Sequence, residues 1–381
     1  MILVNIRIYG ESRTIERGYI VFNETIEALG PMEAMPDLAG ERYDLSGYSL
    51  IPGFIDQHIH GLYGYDAMDG TKEALAAFSK HLPEEGTTSF LATTMTEESE
   101  RIERALKNVA DYRATGGAEC LGVHLEGPFI SPVFKGAQSE AAIRKPSVEA
   151  FGRFYRASNE RIKEVTLAPE REGGLELVSH LKRLSVVPSI GHSNATGEET
   201  KKALANGARC FTHAYNAMKG LHHRDPGVVG TMLLADAAYA EIIVDRVHTG
   251  DDAIRLLIRN KTDRRVILIT DAMRAKGLAD GTYELGGQKV IVKGREARLS
   301  DGTLAGSVLR MIDGVKNVKE ITGATIESLI RMASTNAAEN LWVADRKGTI
   351  GIGKDADLLV VDDDLSIVRT YCRGVSCYRK E

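Results

Sequence analysis

The chain has 381 residues, more than one hydrophobic core usually supports, so we expect a large domain and a smaller one. Its hydrophobic fraction of 43% and charged fraction of 27% are typical of an ordinary soluble enzyme. A formal net charge of -5 argues against nucleic acid or an anionic membrane as a partner. An anionic substrate would therefore need a local cluster of cations.

The first ten residues alternate apolar and polar side chains without a basic segment, so we expect a strand there and not a signal peptide. No stretch of the sequence approaches the roughly 20 apolar residues that a membrane span needs. The four cysteines, Cys120, Cys210, Cys372 and Cys377, show no CxxC spacing, and we interpret them as packing residues. These features predict a cytoplasmic protein.

Short apolar runs, each followed by helix-like sequence, recur along most of the chain. Strands that alternate with helices form parallel sheets with right-handed crossovers, and eight such units can close a (β/α)8 TIM-like barrel. We expect the eight strands at residues 49–58, 87–94, 121–126, 164–169, 186–192, 209–213, 240–245 and 265–271. An open doubly wound sheet is the alternative, but no glycine-rich phosphate turn follows the first run.

The two ends of the chain differ from the middle in their sequence pattern. Residues 1–47 and 343–381 contain short runs broken by turn residues, which predict β-hairpins. Because neither end has enough apolar residues for its own core, we expect both to form one small β-sandwich domain beside a barrel of residues 48–342. A hairpin-like insert at about 281–301 follows the eighth strand, and its position predicts a flap over the site.

Two histidines, His58 and His60, end the first predicted barrel strand. Side chains two residues apart share one face of a strand, so both imidazoles can point to the barrel mouth. Neutral imidazole nitrogens suit a divalent transition metal. A hydrogen-bonded pair of histidines near a turn would give the same pattern.

Polar residues end four later runs in the same way. Glu126 ends the third run, His192 the fifth, His213 the sixth and Asp271 the eighth. Each alone could be a helix cap or a satisfied core residue. Together they fall at the strand ends where barrel enzymes assemble their active sites, so the sequence predicts one shared site.

The predicted site has the ligand chemistry of a metal-dependent hydrolase. Glu126, His192 and His213 supply one carboxylate and two imidazoles, which leave a position open for water on Zn²⁺ or Fe²⁺. Co²⁺ and Mn²⁺ also accept this set. A bound metal polarises a carbonyl and lowers the pKa of water, while Asp271 can take the proton and return it to a leaving nitrogen.

Two further features predict contacts with a substrate. His248 follows the seventh run and can hydrogen-bond a scissile carbonyl, unless it is a surface helix cap. His222, His223 and Arg224 gather positive charge after the sixth run, and Arg224 can bind phosphate bidentately unless it is an exposed loop charge. The roles of His124, His222 and His223 stay open at this point.

These motifs together resemble the amidohydrolase superfamily and, within it, the family of N-acetylglucosamine-6-phosphate deacetylases. The general marks are residues 52–61 and 348–357, and the specific ones are residues 124–129, 191–193, 212–218, 224–227, 270–272 and 304–307. The resemblance covers essentially the whole chain, in order. The fourth run lacks the lysine that bridges two metals in many relatives, which implies that Glu126 takes that role.

The resemblance implies the removal of acetate from N-acetyl-D-glucosamine 6-phosphate to give D-glucosamine 6-phosphate, in amino-sugar catabolism and recycling. It implies that Glu126, His192 and His213 hold the main metal, that Asp271 is general base and then acid, and that His248 contacts the substrate. It also implies the substrate-binding residues Ala137, Asn216, Ala217, Arg224, His248, Leu304, Ala305 and Gly306. A homodimer is implied as well, in which Arg224 reaches the neighbour's site.

Some family members replace the histidines at positions 58 and 60 and keep one metal, whereas this chain retains both and could hold one or two per subunit. Another amidohydrolase, such as a D-aminoacylase, dihydroorotase or isoaspartyl dipeptidase, is the first alternative, but it would have no use for a phosphate cluster. An inactive scaffold is the second, although such proteins lose ligands that this chain keeps. A small phosphorylated amino sugar, and neither nucleic acid nor membrane, is the expected partner.

Overall fold

Five short strands begin the chain. The computed structural model describes residues 1–37 and 39–380. The strands are β1 (Ile2–Tyr9), β2 (Thr14–Phe22), β3 (Ile26–Pro31), β4 (Arg42–Asp44) and β5 (Ser49–Pro52). β1, β2 and β3 form an antiparallel meander, and both β4 and β5 run parallel to β1. Alternation in β1 buries Ile6 and Ile8 and leaves Arg7 exposed, as the sequence pattern predicts.

Eight parallel strands follow one another around the barrel in chain order. They are β6 (Phe54–Ile59), β9 (Thr87–Thr93), β10 (Glu119–Glu126), β11 (Ile162–Leu167), β12 (Val187–Ile190), β13 (Cys210–Phe211), β14 (Tyr239–Ile243) and β15 (Val266–Ile269), with a small ribbon of β7 (Gly61–Leu62) and β8 (Tyr65–Asp66) after β6. The amide of Asp271 donates to the carbonyl of His58 at 2.8 Å, which joins the eighth strand end to the first. The predicted barrel is confirmed.

The predicted first barrel strand, residues 49–58, is wrong in one respect, because the chain is divided at Gly53. The first half, β5, belongs to the sheet that the strands of the two chain ends form, which we call the end sheet. Only the second half, β6, enters the barrel. A Cβ at position 53 would lie 2.1 Å from Oγ1 of Thr88, so the passage between the two sheets requires glycine. Both halves are fully or largely buried, and the apolar pattern therefore does not reveal the division.

Helices surround the barrel. They are α1 (Lys72–His81), α2 (Ser99–Asp111), α3 (Val148–Ala157), α4 (Gly174–Arg183), α5 (Gly197–Asn206), α6 (Gly227–Leu234), α7 (Asp251–Lys261), α8 (Met311–Thr322), α9 (Ile326–Ile330) and α10 (Asn336–Asn340), the last two joined by a π-helical turn. In α2 the buried residues Ile102, Leu106 and Val109 form the apolar stripe that packs inward. None of the helices in the described ranges is long and apolar enough to cross a membrane.

The insert after β15 forms three antiparallel strands, where the sequence predicts a hairpin. They are β16 (Gly281–Leu285), β17 (Gln288–Lys293) and β18 (Glu296–Leu299). We call residues 281–299 the flap. The side-chain amide of Gln288 donates to the carbonyl of Ala137 at 2.5 Å, so the flap rests on the loop that follows β10.

The C-terminal strands complete the first sheet. They are β19 (Leu358–Val361), β20 (Ile367–Cys372) and β21 (Val375–Arg379), and β19 pairs antiparallel with β5. The end sheet thus joins both chain ends, as predicted. Residues 343–357, predicted as part of a hairpin, instead form turns around Lys347, whose Nζ lies 2.9 Å from Glu119 of the barrel and 2.5 Å from Asp357. This buried ion cluster connects the end sheet to the barrel.

Candidate metal centre

A cavity of about 490 Å³ opens at the C-terminal ends of the barrel strands, below the flap. Its wall contains most of the predicted site residues, namely His60, Glu126, Ala137, His192, His213, Asn216, Ala217, His248, Asp271, Leu304 and Gly306. His58 lies just beneath the wall, fully buried. Ala305 is buried behind the wall and Arg224 lies on an exposed loop, so the structure brings neither into the cavity of this chain.

Glu126, His192 and His213 converge on one point. The Oε1 atom of Glu126 lies 3.1 Å from Nε2 of His192 and 3.1 Å from Nε2 of His213. The two Nε2 atoms are 3.0 Å apart. All three side chains are buried, so no bulk water screens these contacts.

The hydrogen bonds on the far side of each ring decide which nitrogen faces the cluster. Nδ1 of His192 lies 2.9 Å from the carbonyl of Phe134, and Nδ1 of His213 lies 3.1 Å from the carbonyl of Asn216. Because a carbonyl only accepts, each Nδ1 carries the hydrogen and each Nε2 presents a lone pair. Two lone pairs and a carboxylate oxygen then face one point, an arrangement that a divalent cation stabilises.

A second group adjoins the first through Glu126. Nε2 of His60 lies 3.3 Å from Oε2 of Glu126 and 3.2 Å from Oδ1 of Asp271. Nε2 of His58 lies 3.5 Å from Oε1 of Glu126 and is buried without a hydrogen-bond partner. Glu126 therefore contacts both groups, because Oε1 faces His192, His213 and His58 while Oε2 faces His60. A carboxylate in this position could bridge two cations.

The carboxylates of the site attract positive charge strongly. Burial lowers the pKa of His58, but Asp271, Glu126 and Glu241 outweigh that effect and raise the pKa to about 9. Burial raises the pKa of Asp271, but His58 and His60 outweigh it and lower the pKa to about 2. Asp271 is therefore an ionised acceptor, as a general base must be.

The backbone at the strand ends aims these side chains inward. His192, His213 and Asp271 each follow their strand by two residues and have positive φ angles of 48°, 33° and 49°. Residues other than glycine rarely adopt this conformation, and where they do the surrounding structure imposes it, often at functional sites. The local turns thus direct all three side chains towards the centre of the barrel mouth.

His248 and Asp271 complete the chemically active part of the cavity wall. Nδ1 of His248 lies 2.7 Å from Oδ2 of Asp245, and the amide of His248 donates to Oδ1 of the same carboxylate at 2.8 Å. These bonds hold the ring against the cavity with Nε2 available to a ligand. His124 has no such freedom, since its Nε2 lies 2.7 Å from Oγ1 of Thr166 and its Nδ1 lies 3.2 Å from a main-chain carbonyl.

The sequence did not reveal three residues that shape this site. The side-chain amide of Gln138 donates to Oε2 of Glu126 at 2.6 Å, and nothing in the local sequence indicates this. Arg298 of the flap lines the cavity and is the one permanent cation among the described wall residues. Glu241 lies fully buried under His58, and its acidic side chain inside the apolar run of β14 was a detectable signal.

A larger cavity of about 740 Å³ lies at the opposite, N-terminal ends of β12, β13 and β14. Its described wall is mostly apolar and includes Arg209 and Trp342 but no group of converging carboxylates and imidazoles. The smaller cavity at the strand C-termini therefore holds the chemistry, although it is not the larger of the two.

The sequence of this chain is similar to those of known proteins along nearly its whole length. The amidohydrolase family profile matches residues 49–377. The N-acetylglucosamine-6-phosphate deacetylase of Bacillus subtilis (strain 168) is 44% identical over 380 residues, which cover 98% of this chain and 96% of that protein. The N-acetylgalactosamine-6-phosphate deacetylase of Escherichia coli O157:H7 is 36% identical, over 94% of this chain and 96% of that protein.

A similar solved structure is an Asp-to-Ala mutant of N-acetyl-D-glucosamine-6-phosphate deacetylase from Mycobacterium smegmatis, in complex with N-acetyl-D-glucosamine-6-phosphate. It superimposes with a TM-score of 0.92 at 29% identity, over 99% of each chain. The similarity extends along nearly the whole chain and includes the barrel that carries the ligand cluster. This chain belongs to the amidohydrolase family, in its N-acetylglucosamine-6-phosphate deacetylase branch.

Proposed function

We propose that this protein hydrolyses the acetamide of N-acetyl-D-glucosamine 6-phosphate, giving D-glucosamine 6-phosphate and acetate. The observation that carries the proposal is the convergence of Glu126, His192 and His213 on one point, with Asp271 beside it. The similarity to deacetylases of this substrate over nearly the whole chain supports it. The reaction would belong to amino-sugar catabolism and recycling.

Glu126, His192 and His213 would hold the main divalent metal, and His58 and His60 would hold a second one together with Glu126 and Asp271. Zn²⁺ and Fe²⁺ suit these ligands, and Co²⁺ or Mn²⁺ could replace them. When bound, such a metal polarises the substrate carbonyl and lowers the pKa of water.

Asp271 would carry the proton that the reaction moves. As the oxygen of water bonds to the acetyl carbon, a carboxylate oxygen of Asp271 takes one proton from that water. As the carbon–nitrogen bond breaks, Asp271 gives this proton to the nitrogen, so acetate and a free amine leave.

The remaining wall residues would orient the sugar. His248, held by Asp245, would donate to the acetyl oxygen as negative charge grows there. The segment from Leu304 to Gly306 and Ala137 would line the sugar ring. The flap, which rests on Ala137 through Gln288, would exclude bulk water from the reacting atoms.

The phosphate would be bound by cations and polar groups from two sources. Asn216 and Ala217 line the cavity, and Arg298 supplies a guanidinium from the flap. Arg224 is exposed and outside the wall, which supports its proposed role in the neighbouring site of a homodimer. The cytoplasmic location predicted from the sequence stays a prediction.

A deacetylase for N-acetyl-D-galactosamine 6-phosphate is the second candidate, because a relative with that activity is 36% identical to this chain. The two sugars differ only in the configuration at carbon 4. The deciding experiment measures kcat/KM of the metal-reconstituted protein on both 6-phosphates and on unphosphorylated N-acetyl-D-glucosamine. We expect N-acetyl-D-glucosamine 6-phosphate to be preferred over the other two sugars. Equal turnover of the unphosphorylated sugar would contradict the phosphate site, and release of acetate from none of them would contradict the proposed function.

A further inference from the structure

A carboxylate that belongs to neither metal group lies directly beneath them. Glu241 is fully buried in β14 and points into the barrel interior. Its Oε2 lies 3.1 Å from Nδ1 of His58 and accepts the backbone amide of His213 at 3.3 Å. Its Oε1 accepts from the side-chain amide of Gln57 at 2.7 Å. One carboxylate thus contacts a candidate ligand of each proposed metal position.

We propose that Glu241 is a positioning residue that orients His58 towards the second metal position and holds the strand end that carries His213. The inference rests on the proposed function, because it assumes that the two groups bind metal. It assigns to Glu241 a role in how many metal ions the site holds.

The orientation follows from the chemistry of the two partners. A carboxylate accepts hydrogen bonds, so Nδ1 of His58 donates to Glu241, and Nε2 is the nitrogen that faces the second metal position, where a bound cation would displace its proton. That Nε2 is buried, has no hydrogen-bond partner and lies 3.6 Å from Oδ1 of Asp271. A buried nitrogen without a partner destabilises the folded protein. A cation bound between these side chains would supply the missing partner.

The second contact explains how Glu241 reaches the main metal position as well. β13 has only two residues, so few ladder hydrogen bonds hold the turn that leads to His213. His213 also has a positive φ of 33°, which the surrounding structure must maintain. Glu241 does so twice, because its carboxylate accepts the amide of His213 and its main-chain carbonyl accepts the amide of Ala214 at 2.7 Å.

Glu241 itself is not a plausible ligand of a third ion with its neighbours. Two groups that contain Glu241 lie close enough to hold a cation, one with His58 and His124 and the other with Glu164 and Cys210. Burial raises the pKa of Glu164 and of Cys210 well above their usual values, so the second group lacks the charged ligands that a cation needs. In the first group, both nitrogens of His124 are already hydrogen-bonded, to Thr166 and to the carbonyl of Gln57. Glu241 therefore acts on the site through His58 and the turn at His213.

Glu164 provides a matched control inside the same network. It is also fully buried, and its Oε2 lies 3.0 Å from the same amide nitrogen of Gln57. None of its hydrogen bonds reaches His58 or His213. A substitution at Glu164 therefore removes a buried acidic side chain from the barrel interior without removing the contacts of Glu241 with His58 and His213.

The test titrates Co²⁺ into apo-protein, following the number and affinity of bound ions by calorimetry and their visible absorption bands. Glu241→Ala is expected to weaken the second Co²⁺ by about 10- to 100-fold, as loss of a hydrogen-bond partner behind a ligand does elsewhere. Glu241→Gln, which keeps one acceptor oxygen, is expected to lie between Glu241→Ala and the unchanged protein. Glu164→Gln is expected to leave both ions and their absorption bands unchanged.

The comparison is repeated in a His58→Asn background, where the substitutions at Glu241 should no longer change the second ion. Equal second-ion affinity in Glu241→Ala and the unchanged protein would overturn the inference, and so would an equal loss in Glu164→Gln. If Glu241→Ala does not fold, as judged by circular dichroism, Glu241→Gln decides alone. Failure of the unchanged protein to bind any Co²⁺ would instead overturn the proposed metal-dependent function.

Discussion

The Nε2 atoms of His192 and His213 lie 3.0 Å apart, and each ring donates its other nitrogen to a main-chain carbonyl. Two lone pairs therefore face each other beside the carboxylate of Glu126. We expect His192→Ala to lose the main metal and to reduce kcat/KM by more than about 100-fold, because loss of a residue that merely supports a ligand already costs 10- to 100-fold. Metal analysis and acetate release measure both effects. His180→Ala, on α4, is the control and should retain metal and activity.

His58 and His60 are expected to determine the number of ions. In the double variant His58→Asn with His60→Asn, the metal content should fall from two ions to one per subunit while part of the activity remains. The physical reason is that the group at Glu126, His192 and His213 is complete without them. Metal analysis after dialysis against a weak chelator checks this, and unchanged metal content would falsify the second site.

Arg298 is expected to contribute to recognition of the phosphate. Arg298→Ala should raise KM for the 6-phosphate by roughly tenfold, about 1.4 kcal/mol, because a charge-assisted hydrogen bond is lost. It should change KM for the unphosphorylated sugar little. Arg295→Ala is the matched control, since it removes the same charge from the turn of the same flap but at a position outside the cavity wall. Equal effects of the two variants would rule out a direct contact with phosphate.

The exposed position of Arg224 leads to a test by complementation. Arg224→Ala and Asp271→Asn are each expected to lose most activity alone. In mixed dimers, the subunit with an intact Asp271 would receive Arg224 from its partner, so one complete site per hybrid should form. Activity well above that of either variant is expected after the two are unfolded together and refolded. Activity no higher than the sum of the two would indicate that Arg224 acts within its own subunit.

The ion cluster between the barrel and the end sheet should make the free energy of unfolding depend on pH. Burial raises the pKa of Glu119, but hydrogen bonds from Arg346 and Lys347 outweigh it and lower the pKa to about 2. Because the folded pKa is below the usual value of 4.5, this stabilisation is present above pH 4.5 and is lost as the pH falls towards 2.

The corresponding variant is Glu119→Gln. It should lower the free energy of unfolding at pH 7 by about 2 kcal/mol, the range of hydrogen bonds to charged groups, and should flatten the decline of Tm between pH 5 and pH 3. Thermal unfolding followed by circular dichroism measures both. The exposed pair of Lys135 and Glu140 supplies the control Glu140→Gln, which should change Tm little. If Tm falls as steeply between pH 5 and pH 3 in Glu119→Gln as in the unchanged protein, other carboxylates cause the decline.

The barrel and the ligand cluster could be predicted because one rule governs both. Parallel strands present their C-terminal ends at the same face, so Glu126, His192, His213 and Asp271 had to meet if each ended a strand. The strands β12, β13 and β15 are shorter than the predicted runs, and three of the four residues, His192, His213 and Asp271, lie two positions beyond them. The turns that extend past the strands carry the side chains inward, and this detail depends on backbone angles that the residue pattern does not contain.

Other parts of the site depend on contacts between distant segments. The amide of Gln138 reaches Glu126 only because the loop after β10 folds back over the cavity, and no periodicity marks that path. Arg298 enters the wall because the flap docks on Ala137 through Gln288. The division at Gly53 also escaped prediction, because β5 and β6 follow each other as one nearly continuous buried segment and only their different partner strands separate them.

The place of β5 between β1 and β19 has a consequence for biosynthesis. When β1, β2 and β5 have left the ribosome, the edge of β5 that will receive β19 still has free amides and carbonyls, and every barrel strand must be translated before β19 arrives. Unpaired edges of this kind recruit strands from other chains. We therefore expect the nascent polypeptide to carry an unpaired edge until β19 has left the ribosome, and a chain that stops before Leu358 to keep that edge.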